Sequence, residues 1–312
     1  MPVATDLKSL GHSISFHCGF SSAMARRQSC ARILMYHGVV EQGAQALADQ
    51  LHFLVRHFTV VSLETMINHL ADNGASRNNE VALTFDDGLR NNLTVVYPIL
   101  REFNVPATFF VCPELVERKQ WLWNHEMRCR LQTLTSATLD ELRSRLLAPA
   151  GSAEKLVEWM KTLPLSQRRR AEDAIRQATA VFRPTPAQYA AFDMMSWPDL
   201  LSLDPSLITI GSHTMTHPIL TTLSAQEIET ELTESKRLLE QRLQRSVQFF
   251  CYPNGSYDER VCESAKRTYR AAVTTETGVI TTKDSPDLHR LPRIPSAENA
   301  ALTAWRLHRP EA

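Results

Sequence analysis

The sequence predicts an α/β fold built on a parallel sheet, and three observations point there. Short apolar runs rich in Val, Ile and Phe recur along much of the 312-residue chain. Runs that short and that β-branched suit strands buried on both faces. Helical stretches lie between most of them, the alternation that parallel crossovers require. The runs number seven, which suits a barrel better than a short open sheet, although periodicity alone leaves closure open.

The strand candidates are, in order, Arg32–Tyr36, Thr59–Ser62, Val81–Phe85, Ala107–Val111, Leu207–Ile210, Val247–Cys251 and Ala271–Val273. The clearest helix runs from Ser224 to Leu243. Ser224 and Glu227 make a capping box, and Ile228, Leu232, Leu239 and Leu243 form one apolar stripe. The alternation stops between about Trp121 and Asp193, where the pattern is helical throughout. There Thr138 and Glu141 read as a second capping box, with Leu139, Leu142 and Leu146 at helical spacing. Pro149, Pro164, Pro184 and Pro186 punctuate the stretch. Arg168–Arg170 reads as a solvated helix face. The expected organisation is therefore an N-terminal extension (1–30), a discontinuous barrel (31–120 and 194–300), a helical insertion (121–193) and a C-terminal tail (301–312).

Composition excludes more than it assigns. Basic and acidic side chains balance at 34 each, so nothing points to nucleic acid or another polyanion. A neutral sugar polymer requires no charged surface and stays open. No apolar run approaches the ~18 residues of a membrane helix. The first thirty residues lack a sustained apolar core, because His17 and Gly19 break Ser13–Phe20. The six cysteines, Cys18, Cys30, Cys112, Cys129, Cys251 and Cys262, form no C-x-x-C pair. They read as free thiols, which favours a cytoplasmic location. Oligomeric state has no signature here.

Two segments carry chemistry. Thr84–Gly88 (TFDDG) follows an apolar strand, and two adjacent carboxylates there are costly unless paired or bound to a cation. Active sites of parallel α/β folds assemble at that end of the strands. Adjacent side chains in an extended segment diverge, so Asp86 and Asp87 can take different roles. Alone, the pair would also suit a helix cap. Ser212–Pro218 (SHTMTHP) follows another strand, and two histidines four apart can meet one metal ion from a helical turn or a tight loop. Alone, they would also suit a solvated surface. Together, one Asp and two His make a three-ligand site with room for water, and the second Asp is free to act as a base.

These segments are similar in order and spacing to the motifs of the polysaccharide deacetylases (NodB homology, carbohydrate esterase family 4). TFDDG resembles the first motif and SHTMTHP the second. Phe249–Gly255 (FFCYPNG) resembles the third in the YPxG form of one branch. Leu34–His37 resembles that branch's opening strand, Leu291–Ile294 (LPRI) its closing strand, and Met195–Trp197 the lead-in to the second motif. The resemblance covers roughly Ile33 to Pro295, apart from the insertion.

It implies a distorted (β/α)7 TIM-like barrel and a hydrolase that removes acetyl groups, foremost N-acetyl, from a saccharide. Asp87, His213 and His217 would hold a divalent metal, zinc first, with cobalt, nickel, iron or manganese also suited to such donors. Asp86 would be the general base. The backbone N–H of Asn254, beside Pro253, would hold the oxyanion, and Tyr252 would line the pocket. Many relatives open the third motif with an Arg that orients the catalytic Asp. This chain has none there, and Arg293 is the candidate substitute, set against a surface ion pair. His289, after Leu288, superficially fits the usual general acid and equally fits a solvated residue. His37 suits the barrel mouth or a core histidine bonded to backbone. Trp121 and Trp123 suit a lid over a sugar or the core of the inserted helices.

Three rival functions remain. Ser152–Lys155 matches the S-x-x-K of serine acyl-transfer enzymes but lacks its partner motifs. The same site would also serve a cyclic amide or formamide hydrolase. A non-catalytic sugar-binding protein is the third, and it would have no use for a base beside a metal.

Overall fold

In the computed structural model, residues 11–71, 79–281 and 286–310 are described. Among them run nine strands: β1 (Cys30–Tyr36), β2 (Thr59–Val60), β3 (Glu80–Phe85), β4 (Ala107–Val111), β5 (Ile208–Ser212), β6 (Phe249–Cys251), β7 (Ala271–Thr277), β8 (Ile280–Thr281) and β9 (Leu291–Pro295). Seven close into a parallel ring, β1-β3-β4-β5-β6-β7-β9, with β9 pairing back onto β1. The expected barrel is therefore present.

Its membership differs at one place. Thr59–Ser62 is not part of the ring. Only Thr59 and Val60 pair, against Glu80 and Val81 at the start of β3. That edge is free because β4 joins β3 only from Leu83 onward. The seventh place goes to β9, the strand singled out by its resemblance to LPRI.

Strand alternation sorts the side chains into two layers. Ala31, Ile33, Ala82, Phe110, Phe249, Cys251, Val273 and Leu291 face inward and pack with Leu63, Met66, Ile67 and Leu70 of the helix Leu63–Ala71. That helix closes the barrel end opposite the carboxylates. Leu34, Tyr36, Leu83, Phe85, Phe109 and Phe250 face outward, under the surrounding helices. Each fully buried apolar side chain stabilises the fold by about 1.5–3 kcal/mol. The interior is thus a packed core able to offset the burial of charge above it. The inward column of β3 runs Ala82, Thr84, Asp86, and that of β9 runs Leu291, Arg293, so period two alone aims both charges into the barrel.

Between β4 and β5, the helices Trp123–Leu131, Ser136–Leu146, Ala153–Met160 and Leu165–Ala178 share a core of their own, including Met127, Leu142, Leu156, Val157 and Ile175. Local expectations need two corrections here. The cap of Ser136–Leu146 is Thr135, whose hydroxyl accepts from Thr138 N–H, so the helix starts before Thr138. Arg168 is not solvated: it is buried, pairs with Glu172 at 3.0 Å and lies over the Trp123 ring. At Ser224 the capping box forms as expected. Ser152 caps its helix by accepting from Lys155 N–H, which gives its hydroxyl a structural use. All six cysteines are free. No described helix is long and apolar enough to cross a membrane.

Candidate active site

The ladder continues one residue beyond β3, since Asp86 N–H donates to the Tyr36 carbonyl at 2.9 Å. Asp86 is thereby held on the inward column. Arg293 meets it bidentately, Nη1 to Oδ1 and Nη2 to Oδ2, both at 2.8 Å. Arg293 is fully buried, and its remaining donors reach the Thr274 carbonyl, Thr84 Oγ1 and Cys251 Sγ. All five guanidinium N–H groups are thus used, which a surface ion pair would not require. Burial alone would push the Asp86 carboxyl up, but Arg293, with His37 and His213, holds it below the ordinary range. It stays ionised near neutral pH.

Asp87 leaves the ladder. Its φ is +76°, and Gly88 follows at +72°, so the chain turns and the second carboxylate also reaches the mouth. Its Oδ1 lies 3.6 Å from both His213 Nε2 and His217 Nε2. His213 follows β5, and its Nδ1 donates to the Cys251 carbonyl at 2.7 Å. A carbonyl can only accept, so Nδ1 carries a proton and Nε2 is the atom turned toward Asp87.

The two histidines sit on a tight loop rather than a helical turn. Thr214 and His217 both adopt positive φ, +67° and +56°. Thr214 Oγ1 accepts from His217 N–H, and Trp123 Nε1 donates to the His217 carbonyl at 3.1 Å. Buried Glu231 accepts from Met215 N–H, Thr216 N–H and the Thr216 hydroxyl. Burial and the neighbouring His213 push the His217 imidazole down to about 3, so it is neutral at physiological pH. Its buried Nδ1 lacks a hydrogen-bond partner.

Among the described residues, two donor sets have atoms mutually within 4.8 Å: Asp87, His213 and His217, and Asp86, His213 and Cys251. The second set is already spent. Asp86 is saturated by Arg293, His213 Nδ1 is bonded, and burial pushes the Cys251 thiol up, so it is no thiolate. The first set fits a cation. Donors about 2.0–2.1 Å from a tetrahedral centre lie roughly 3.3 Å apart, close to the 3.6 Å separations found.

His37 stands at the mouth with its side chain 54% exposed and Nε2 4.0 Å from Asp86 Oδ2. It is not a core histidine. Pro253 and Asn254 form a short turn after β6. Asn254 is exposed, and its Oδ1 accepts from Lys161 of the insertion at 3.1 Å. Gly255 is obligatory there: φ is +68°, and an added Cβ would lie 1.7 Å from Thr275 Oγ1.

Two expected residues do not join the group. Cys251 faces inward, so Tyr252 faces outward, buried against Phe250 and Tyr257. Its hydroxyl donates to the His289 carbonyl at 2.9 Å. His289 precedes β9, at the N-terminal end of the strands, where its ring meets the Tyr269 carbonyl at 2.9 Å. Strand direction thus separates it from Asp86.

Two residues went unforeseen. His125, on the inserted helix Trp123–Leu131, brings Nε2 to 3.9 Å from Asp87 Oδ2. It has no spacing relation to Asp87, His213 or His217, so the sequence carries no signal for it. Glu231 did leave one: a carboxylate beside the buried stripe of Ile228, Leu232 and Ser235.

Comparison with known proteins bears on the family and the fold. The family described as "Polysaccharide deacetylase" matches residues 73–272. A Bacillus subtilis (strain 168) protein named "Putative polysaccharide deacetylase YxkH" is 22% identical over 227 residues, which is 72% of this chain and 55% of the relative. The chain thus spans about half the length of that relative. Among solved structures, the Streptococcus pyogenes deacetylase PplD in complex with acetate superposes with a TM-score of 0.59 at 20% identity, covering 88% of this chain and 98% of the other. IcaB from Ammonifex degensii superposes with a TM-score of 0.57 at 17% identity, covering 89% and 97%. At these identities the superpositions speak for the fold.

Proposed function

We propose, from the premise that this chain belongs to the polysaccharide deacetylase family, that it is a metal-dependent hydrolase removing acetyl groups, foremost N-acetyl, from a saccharide. One observation carries the reading: two neighbouring carboxylates have opposite surroundings. Asp86 is locked by one guanidinium, while Asp87 faces two imidazoles. Binding alone has no use for that division of labour. We read the barrel as residues 31–120 and 194–300, the insertion as 121–193, and the flanks as 1–30 and 301–312.

In this reading Asp87, His213 and His217 hold a divalent cation, with zinc the first candidate for such donors. When bound, the cation lowers the pKa of water and polarises the acetyl carbonyl. Asp86 accepts the proton of the attacking water. Arg293 fixes the carboxylate's orientation and keeps it ionised until that moment. The Asn254 N–H, beside Pro253, stabilises the oxyanion. The proton must finish on the departing amine, and His37 stands where it can serve that transfer. PplD was solved with acetate, the product such a reaction releases.

The test is acetate release from a panel of acetylated oligosaccharides before and after metal stripping. Release that disappears with chelator and returns with zinc or cobalt supports the proposal. Metal-replete protein that releases no acetate but opens cyclic amides would overturn it.

A further inference from the structure

The insertion's aromatic side chains divide into two groups. Trp123 is buried, donates to the His217 carbonyl and lies beneath Arg168, so it belongs to the insertion's core. Trp121 is half-exposed and heads a different arrangement. Its indole N–H is pinned to Asp193 Oδ1 at 2.9 Å. Its ring meets Phe192 at 5.6 Å and Tyr189 at 5.7 Å, and Phe192 in turn meets the His125 ring at 4.6 Å. His125 is the residue 3.9 Å from Asp87. A connected row of rings therefore starts at the cation ligands and runs outward.

Phe192 is half-buried, and Tyr189 is 47% exposed although aromatic. The row is partly covered and emerges at Tyr189, where a rigid aromatic face is open to a ligand. Beyond it, Trp121 and Tyr189 border a cleft of about 270 Å³, and Gln120, Glu126 and Arg176 line the same cleft with polar groups. Rigid ring faces beside hydrogen-bonding side chains match a pyranose, which offers C–H faces and a rim of hydroxyls. A lipid tail would leave those polar groups unmatched.

We propose that His125, Phe192, Trp121 and Tyr189 form a shelf that binds the sugar rings next to the acetylated one, so that the insertion selects oligosaccharides over monosaccharides. This rests on the deacetylase reading for its substrate, but sugar binding to the shelf is measurable without turnover. Phe192 and Tyr189 act here as specificity-determining residues.

The experiment has two arms. In the first, KM and kcat for acetate release are measured on an acetylated monosaccharide and a tetrasaccharide, for the native chain, Phe192→Ala and Tyr189→Ala. Leu147→Ala, at a 90% exposed position elsewhere in the insertion, is the control. The expected result is a KM for the tetrasaccharide raised about tenfold, equivalent to about 1.4 kcal/mol, with a smaller change for the monosaccharide. In the second, tryptophan fluorescence of metal-stripped protein is titrated with the deacetylated tetrasaccharide. A saturable change is expected, lost in Trp121→Phe and weakened in Phe192→Ala. Acetate release with unaltered KM in both alanine variants overturns the shelf and leaves the deacetylase reading standing. Saturable binding without turnover of any acetylated sugar overturns the deacetylase reading and leaves the shelf. Absence of binding in the native chain overturns the shelf.

Discussion

The barrel mouth and the insertion both hold arginine–carboxylate pairs, but in different ways. In the mouth, Arg293 is wholly enclosed and gives its only carboxylate contact to Asp86. In the insertion the pairing is shared: Glu126 accepts from both Arg130 and Arg176, and Arg176 also reaches Glu172 and Asp173. Shared partners tolerate the loss of one member, whereas an exclusive buried pair does not. The mouth is built for one geometry, the insertion for adaptable packing around it.

Asp86→Asn is the strongest test of that contrast. It should lower turnover by about 10²–10⁴-fold, the scale of a general base, while metal content stays near that of the native chain. His213→Ala should lose both. Equal metal loss in the two variants would abolish the distinction between Asp86 and Asp87. Next, Arg293→Ala leaves a buried carboxylate without its cation and should destabilise the fold by about 3–5 kcal/mol, read by denaturant unfolding. A cost near zero would mean that the pair is not exclusive after all.

Acid titration sharpens the same point. The folded Asp86 carboxyl lies below its ordinary 3.8, so it holds its proton less readily folded than unfolded. Its contribution is full above that ordinary value and is lost as pH falls through the folded one. The native chain should therefore lose stability on acidification below about pH 4, and Asp86→Asn should show a shallower loss. Ser152→Ala removes a helix cap in the insertion and should cost about 1 kcal/mol with acetate release unaltered. A collapse of activity would instead revive the serine reading. The smallest effect is expected for Arg176→Ala, a side chain 39% exposed and multiply paired. Solvent screening limits its cost to roughly 0–1 kcal/mol.

That Asp86, Asp87, His213 and His217 would meet at one mouth was legible because strand ends in parallel folds leave local signatures: a short apolar run, then TFDDG or SHTMTHP. Arg293 was legible only through the resemblance of LPRI, and period two along β9 then explains why it faces inward. What failed involved direction or distance in three dimensions. Tyr252 follows an inward residue and so turns outward, and His289 lies before its strand rather than after it. Thr59–Ser62 looks like a ring strand by composition, yet register with β3 leaves it two residues of edge. His125 arrives from a helix that the sequence links to nothing else at the mouth. A lone histidine has no period, and only tertiary packing brings it to Asp87.

Asp87, Thr214 and His217 share a backbone conformation that residues bearing a Cβ resist, at roughly 1–2 kcal/mol each. Glycine would relieve each turn, yet at Asp87 and His217 it would delete a donor of the proposed cation site. Selection for heat resistance alone would therefore push these two positions toward residues that abolish the site. Engineering for thermostability should leave these turns untouched and seek its gains in the insertion's helices and on the outer face of the barrel.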